Sequence, residues 1–392
     1  MDSEFRKSLI YRLVIWGLLL IGLVVFGKLA IAKLTDPTFI SLDDYVEYWS
    51  ASRLNRVRGN PYNPDQLESL QLAAGRLKNV PIMMWNPPWT LALMMPLSWL
   101  PYPSSRVLWL LLNILILFVC VNWCWRAYGG DLRHAWIAWV VAFTFGPPLH
   151  LLKAGQITIL LLLGVVGFLY FSGRQKWWLA GFAAGLITIK PHLLYLFGLA
   201  LLVWALSNRK WTVLGGFAVF LFTSMGVAWA VNPALINQYL YAVTAYPPEQ
   251  WATPTFGAVL RLLFGVDKFW LQFVPPVLGS LWFLRYWKRS RSHWDWLSQV
   301  PLLVLVSLMT SAYGWTFDYT VSLLAIIQVA VWASEHRSWS WAESIFLIVY
   351  VALDLVTIFS NANQISFWWM SSWLLASYLM ALRLFSQRLK VR

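Results

Sequence analysis

Apolar runs close to the ~20 residues that cross a bilayer recur along most of this 392-residue chain, separated by short polar or basic junctions. They predict helical spans at Leu9 to Leu34, Pro103 to Trp125, His134 to His150, Gln156 to Phe171, Trp177 to Lys190 and Pro191 to Leu206. Six more come after these, at Trp211 to Val231, Lys268 to Trp287, Leu297 to Ser311, Thr316 to Ala333, Trp341 to Phe359 and Ile365 to Phe385. The short proline-bracketed run Trp85 to Leu100 reads as a helix lying at, or dipping into, the outer boundary, because counting it as a span would leave an odd number of crossings between the basic clusters at Arg6 and Arg126. Two polar stretches interrupt the pattern, 35–102 and 232–267. The first carries a helix-compatible segment after Asp43-Asp44 and a second at Pro64 to Lys78, and the turn signal Arg-Gly-Asn-Pro-Tyr lies between them.

Composition agrees with this pattern. Hydrophobic residues make up 59% and charged residues 12%, about half the charge of a soluble domain. The fold class is therefore an all-α polytopic membrane protein, one transmembrane domain over 1–392. The formal charge of +14 does not imply nucleic acid, because the basic residues sit in short clusters between apolar runs, as the positive-inside bias requires. Placing every basic cluster in the cytoplasm leaves roughly twelve spans. Both termini are then inside, the first span stays uncleaved, and 35–102 and 232–267 become outer loops of a plasma-membrane protein. The 28 Trp suit interfacial belts. Cys120 and Cys124 lie four apart within one apolar run, which speaks against a disulfide framework or a metal site.

The polar marks resemble a known family. D-Y-x-x-Y-W-x-A-S followed by G-N-P-Y, then W-N-P-P-W-T-L-A-L-M-M-P-L-S-W-L-P, A-G-Q-I-T-I-L-L-L-L and L-A-G-F-A-A-G-L-I-T-I-K-P run in order from about residue 40 onward. Together with the looser S-A-Y-G-W-T-F-D-Y they are similar to the membrane mannosyltransferases of glycosyltransferase family eighty-seven, within the GT-C superfamily. The resemblance implies a GT-C-like fold and inverting transfer of a sugar, mannose in that family, from a polyprenyl-phosphate donor to a lipid or glycan acceptor on the outer face. It implies a catalytic aspartate in the first outer loop, Asp44 by register, with Asp43 the nearest rival for that role. The chain departs from the family where S-P-x-x-W-x-H-H is expected: residues 311–319 read Ser-Ala-Tyr-Gly-Trp-Thr-Phe-Asp-Tyr, so a histidine role there is missing or falls to Asp318 or Tyr319.

The residues allow this chemistry and blander roles beside it. Asp43 and Asp44 point about 100° apart on a helix. One can take a proton from an acceptor hydroxyl while the other caps the helix, or both can be N-caps. A leaving phosphate needs a cation. Lys190 precedes a proline at the outer boundary and is the first candidate, with Lys153 and Arg53 behind it; snorkelling to headgroups is the alternative for the lysines. Gln156, His150, His192, Tyr48, Trp85, Asp318 and Tyr319 are candidate substrate contacts. Their plain readings are helix capping, structural hydrogen bonding and interfacial anchoring. Asp354 reads as a structural hydrogen-bonding acid, and Gly181-x-x-x-Gly185 as close helix packing. No metal-ligand spacing is present and no cofactor is implied, although an aspartate pair can hold Mg²⁺ with several waters. The rival classes are a lipid or solute transporter and a non-catalytic assembly subunit.

Overall fold

A computed structural model describes residue 28 and residues 43–248, 251–334, 341–360 and 362–389. The chain divides into two units, Met1–Leu42 and Asp43–Arg392, and the helices from Asp43 onward belong to the second. The expected span Leu9 to Leu34 lies outside the described residues except for Lys28. Among the described residues all regular structure is helical.

Among these residues, four helices are long and apolar enough to cross a bilayer: Tyr102–Ala127, Trp211–Val231, Thr316–Ser334 and Gln364–Phe385. A fifth candidate is the pair Leu132–Thr144 and Gly146–Ala154, bent by 60°. The bend has a local cause. Pro147 and Pro148 lack the N–H groups that would continue the helical ladder, and Phe145 before them is extended. The N–H of Gly146 is rescued by Asp354 Oδ1 at 2.9 Å, the structural hydrogen bond expected for this acid.

Several expected spans are shorter than a bilayer. Ile159–Ser172 and Trp296–Met309 each have 14 residues and Tyr195–Ser207 has 13. At 1.5 Å per residue that is roughly 20 Å, against a hydrocarbon core of ~30 Å. They are short because their apolar runs include 3₁₀ or irregular ends. The Trp177–Ala184 helix tightens into a 3₁₀ turn, Gly185–Ile189, ahead of Pro191; the Thr316–Ser322 turn precedes Leu323–Ser334 in the same way. Trp85 to Leu100 holds only the short helix Thr90–Met94 and a 3₁₀ turn, too short to span. The stretch 232–267 is more ordered than its polarity suggested, with helices at Leu235–Ala245 and Phe256–Phe264.

An especially close helix contact joins Trp177–Ala184 to Trp211–Val231. A Cβ at Gly216 would stand 2.1 Å from the Trp178 carbonyl oxygen, and one at Gly181 1.9 Å from that of Val213. The Gly181/Gly185 spacing thus serves close helix packing, as expected, against the Val213 backbone at Gly181 and the Phe220 side chain at Gly185. Gly216→Ala should destabilise the protein by about 1–3 kcal/mol, read as a lowered Tm in detergent; an unchanged Tm would mean the two backbones are not in contact.

Candidate active site

One helix, Asp43–Arg56, supplies the acidic wall of the site. Residues at i, i+3 and i+4 share a helix face, and Asp44, Glu47 and Tyr48 follow that spacing. All three line a cavity of about 480 Å³. The other side of the helix fixes its position. Tyr45 stacks on Tyr102 and Trp109, each at 5.9 Å between centroids, and its hydroxyl meets Ser105 Oγ at 2.5 Å. Trp49 Nε1 donates to the Leu100 carbonyl at 3.1 Å and Asn55 Nδ2 to that of Ala228 at 3.2 Å.

The facing wall is built where helices break. Lys190 stands between two 3₁₀ turns at φ −136°, ψ 72°, outside the α region that a following proline disfavours. The preceding turn is held from outside: Asn86 Nδ2 donates to the Ile189 carbonyl and Trp89 Nε1 to Thr188 Oγ1, both at 3.0 Å. The W-N-P-P-W segment is thereby a brace for Lys190. On the next chain segment, Gly155 closes the Gly146–Ala154 helix with φ +70°, and a Cβ there would stand 2.8 Å from Tyr45 Cβ. Glycine meets both demands. It delivers Gln156 to the cavity and Thr158 to the lysine.

Lys190 is 9% exposed and Asp318 is 1% exposed, and they form an ion pair at 2.9 Å. An ammonium has three N–H donors. Lys190 directs them at Asp318 Oδ1, at Gln156 Oε1 (3.0 Å) and at Thr158 Oγ1 (3.1 Å). Thr158 in turn donates to Asp318 Oδ1 at 2.5 Å, and the second carboxylate oxygen accepts the Trp315 backbone N–H at 2.9 Å. Tyr48 donates to Gln156 Oε1 at 2.8 Å, which links the acidic wall to the lysine.

Of the residues expected from sequence, Asp44, Tyr48, Trp85, Gln156, Lys190, His192 and Asp318 line the cavity. Four others are placed elsewhere. Arg53 packs over the Trp49 ring at 5.3 Å, and Lys153 lies in the last turn of its helix. His150 Nδ1 meets Thr316 Oγ1 at 3.2 Å, and Tyr319 donates to the Pro254 carbonyl at 2.8 Å. Asp43 begins its helix, and its side chain lies outside what is described. Among the described residues, no three His, Cys, Asp or Glu side chains converge as a metal site.

Sequence reasoning missed Glu47. Its signal was present in the spacing Asp44-x-x-Glu47, one helical turn, but the adjacent pair Asp43-Asp44 is the more conspicuous mark. Burial, and next the charge of Asp44, push its carboxyl up to about 8, against smaller lowering from the Tyr48 hydroxyl and Lys190. Glu47 is therefore mostly neutral at pH 7. Asn86, Tyr239, Trp251, Tyr313, Trp315 and Gln364 also line the cavity and were not expected.

The family model for glycosyltransferase family 87 matches residues 85–312, more than half of the chain. The chain belongs to glycosyltransferase family 87. It is 26% identical over 262 residues to a polyprenol-phosphate-mannose-dependent alpha-(1-2)-phosphatidylinositol pentamannoside mannosyltransferase of Mycolicibacterium smegmatis, an alignment covering 63% of this chain and 60% of that relative. No solved structure matches. The family match begins after the Asp43–Arg56 helix, so the acidic wall stands on geometry alone.

Two sets of variants test this arrangement. Lys190→Met leaves Asp318 buried without its cation and should cost about 3–5 kcal/mol, with much of it regained in Lys190→Met/Asp318→Asn; equal losses in the single and double variants would show that the charges are not coupled. Glu47 has a folded pKa above its ordinary value of 4.5. The folded state then holds more protons than the unfolded one between about 4.5 and 8, and stability falls as pH rises through that window. In Glu47→Gln the Tm should lose this part of its decline between pH 5 and 8; an identical pH–Tm curve would contradict the neutral carboxyl.

Proposed function

We propose that this protein is a membrane glycosyltransferase that moves a sugar, mannose by likeness to its relative, from a polyprenyl-phosphate donor to a lipid or glycan acceptor, with inversion. One observation carries the reading: in a family 87 chain, a single cavity sets the carboxyls of Asp44 and Glu47 against a lysine, Lys190. Asp44 is the base and takes the proton of the acceptor hydroxyl. The freed oxygen attacks the anomeric carbon on the face opposite the phosphate. The bond from that carbon to the phosphate oxygen breaks, and polyprenyl phosphate leaves with the electron pair. Glu47, neutral before the step, donates a hydrogen bond to a substrate oxygen.

The leaving phosphate is placed at Lys190. Because all three of its N–H groups have acceptors, the phosphate must displace one. Gln156 is the natural choice, since its oxygen keeps the Tyr48 hydroxyl and it carries no charge to strand. We infer that the reaction takes place on the outer face of the plasma membrane, in a fold with both termini in the cytoplasm.

The test is transfer of label from polyprenyl-phosphate-[¹⁴C]mannose to membrane glycolipid in proteoliposomes. Asp44→Asn should lower product formation by roughly 10²–10⁴-fold at unchanged Tm. Full activity in this variant would remove Asp44 as the base. Absence of transfer by the unaltered protein with every glycolipid acceptor offered would overturn the reading.

A further inference from the structure

Four of the half-buried aromatic side chains that line the cavity form one cluster, and they arrive from three separate stretches of chain: Trp85, Trp251, and the pair Tyr313 and Trp315. Trp251 is their hub. Its ring centre lies 6.2 Å from Trp85, 5.9 Å from Tyr313 and 6.0 Å from Trp315, the interplanar angles being 83°, 89° and 63°. Such edge-to-face contacts fix ring planes rather than merely fill space.

The loop carrying Trp251 is itself tied down. Tyr319 holds the Pro254 carbonyl at 2.8 Å, Thr255 Oγ1 donates to the Ala312 carbonyl at 3.3 Å, and Gln272 Nε2 donates to the same carbonyl. Other tryptophans differ: Trp99, Trp136, Trp211 and Trp270 are 71%, 55%, 60% and 64% exposed. The wall around Trp251 instead faces a chamber whose other lining residues include Asp44, Glu47, Asn86, Gln156 and Lys190.

Aromatic rings and hydrogen-bonding groups lining one cavity suit a ligand with one C–H face and a rim of hydroxyls. We propose that the aromatic wall centred on Trp251 is a stacking subsite for a pyranose ring, and that Trp251 is its principal contact. The inference deepens the transferase reading and rests on it for the source of the ring: the donor's sugar or a sugar of the acceptor.

The experiment measures binding, not turnover, in nanodiscs. Three probes are used: methyl mannobioside as the acceptor-like glycan, polyprenyl-phosphate-mannose as the donor, and polyprenyl phosphate, which lacks the sugar. Trp251→Ala should weaken one of the two sugar-bearing probes by about tenfold, leave polyprenyl phosphate unchanged, and be largely rescued in Trp251→Phe. Loss confined to methyl mannobioside assigns the ring to the acceptor, and loss confined to polyprenyl-phosphate-mannose assigns it to the donor. Equal affinities of Trp251→Ala and the unaltered protein for both sugar probes would overturn the subsite, as would an equal loss for polyprenyl phosphate. An unaltered protein that binds these probes through Trp251 yet transfers nothing would sink the transferase reading and leave the subsite standing.

Discussion

A lysine and an aspartate removed from water must be paired and hydrogen-bonded, or the desolvation cost is several kcal/mol per ion. The Lys190–Asp318 pair meets this requirement, and much of the surrounding architecture serves it. Gln156 and Thr158 take the remaining ammonium protons, the Trp315 amide takes the far carboxylate oxygen, and Asn86 caps the carbonyl exposed by the break ahead of Lys190. These partners come from different stretches of chain. The helices around them are short or broken because each must end where it hands a polar group to this cluster. A continuous α-helix satisfies its own backbone but cannot turn consecutive residues toward one point.

How much of this was legible varies with the range of the interaction. The Trp211–Val231 helix was readable to the residue, because an apolar run bounded by a lysine and an asparagine is a local signal. So were the Gly181/Gly185 packing face and the hydrogen bond of Asp354, since a small residue or a lone acid in an apolar helix has few uses. The shortness of Ile159–Ser172 and Trp296–Met309 was not readable: apolar composition continues into the 3₁₀ and irregular ends, where the helix does not. Within the site, Lys190, Gln156 and Asp318 stood out as polar marks in apolar surroundings, but nothing in their spacing paired them. Glu47 was hidden differently. It sits among polar neighbours in sequence and becomes unusual only when the fold buries it. The ring cluster around Trp251 joins Trp85 to a residue more than 150 positions away, beyond any local pattern.

Family membership and geometry complement each other. The match to family 87 covers residues 85–312, which contain the brace, the lysine and the loop carrying Trp251. Asp44, Glu47 and Asp318 fall outside it, and the cavity is what joins them to the rest. The acids divide into two environments. Asp318 is held against a cation, whereas Asp44 and Glu47 share a helix face, and the charge of Asp44 helps keep Glu47 protonated.

Gly155 has a consequence out of proportion to its size. The helix that carries Tyr45 rests almost directly on it, and the chain that leaves it carries two of the groups holding the ammonium. The gap between the Asp43–Arg56 helix and Lys190 is thus gauged by the bare Cα of one residue. A methyl group at that point would act as a shim, prising the two halves of the chamber apart without touching a single charged atom.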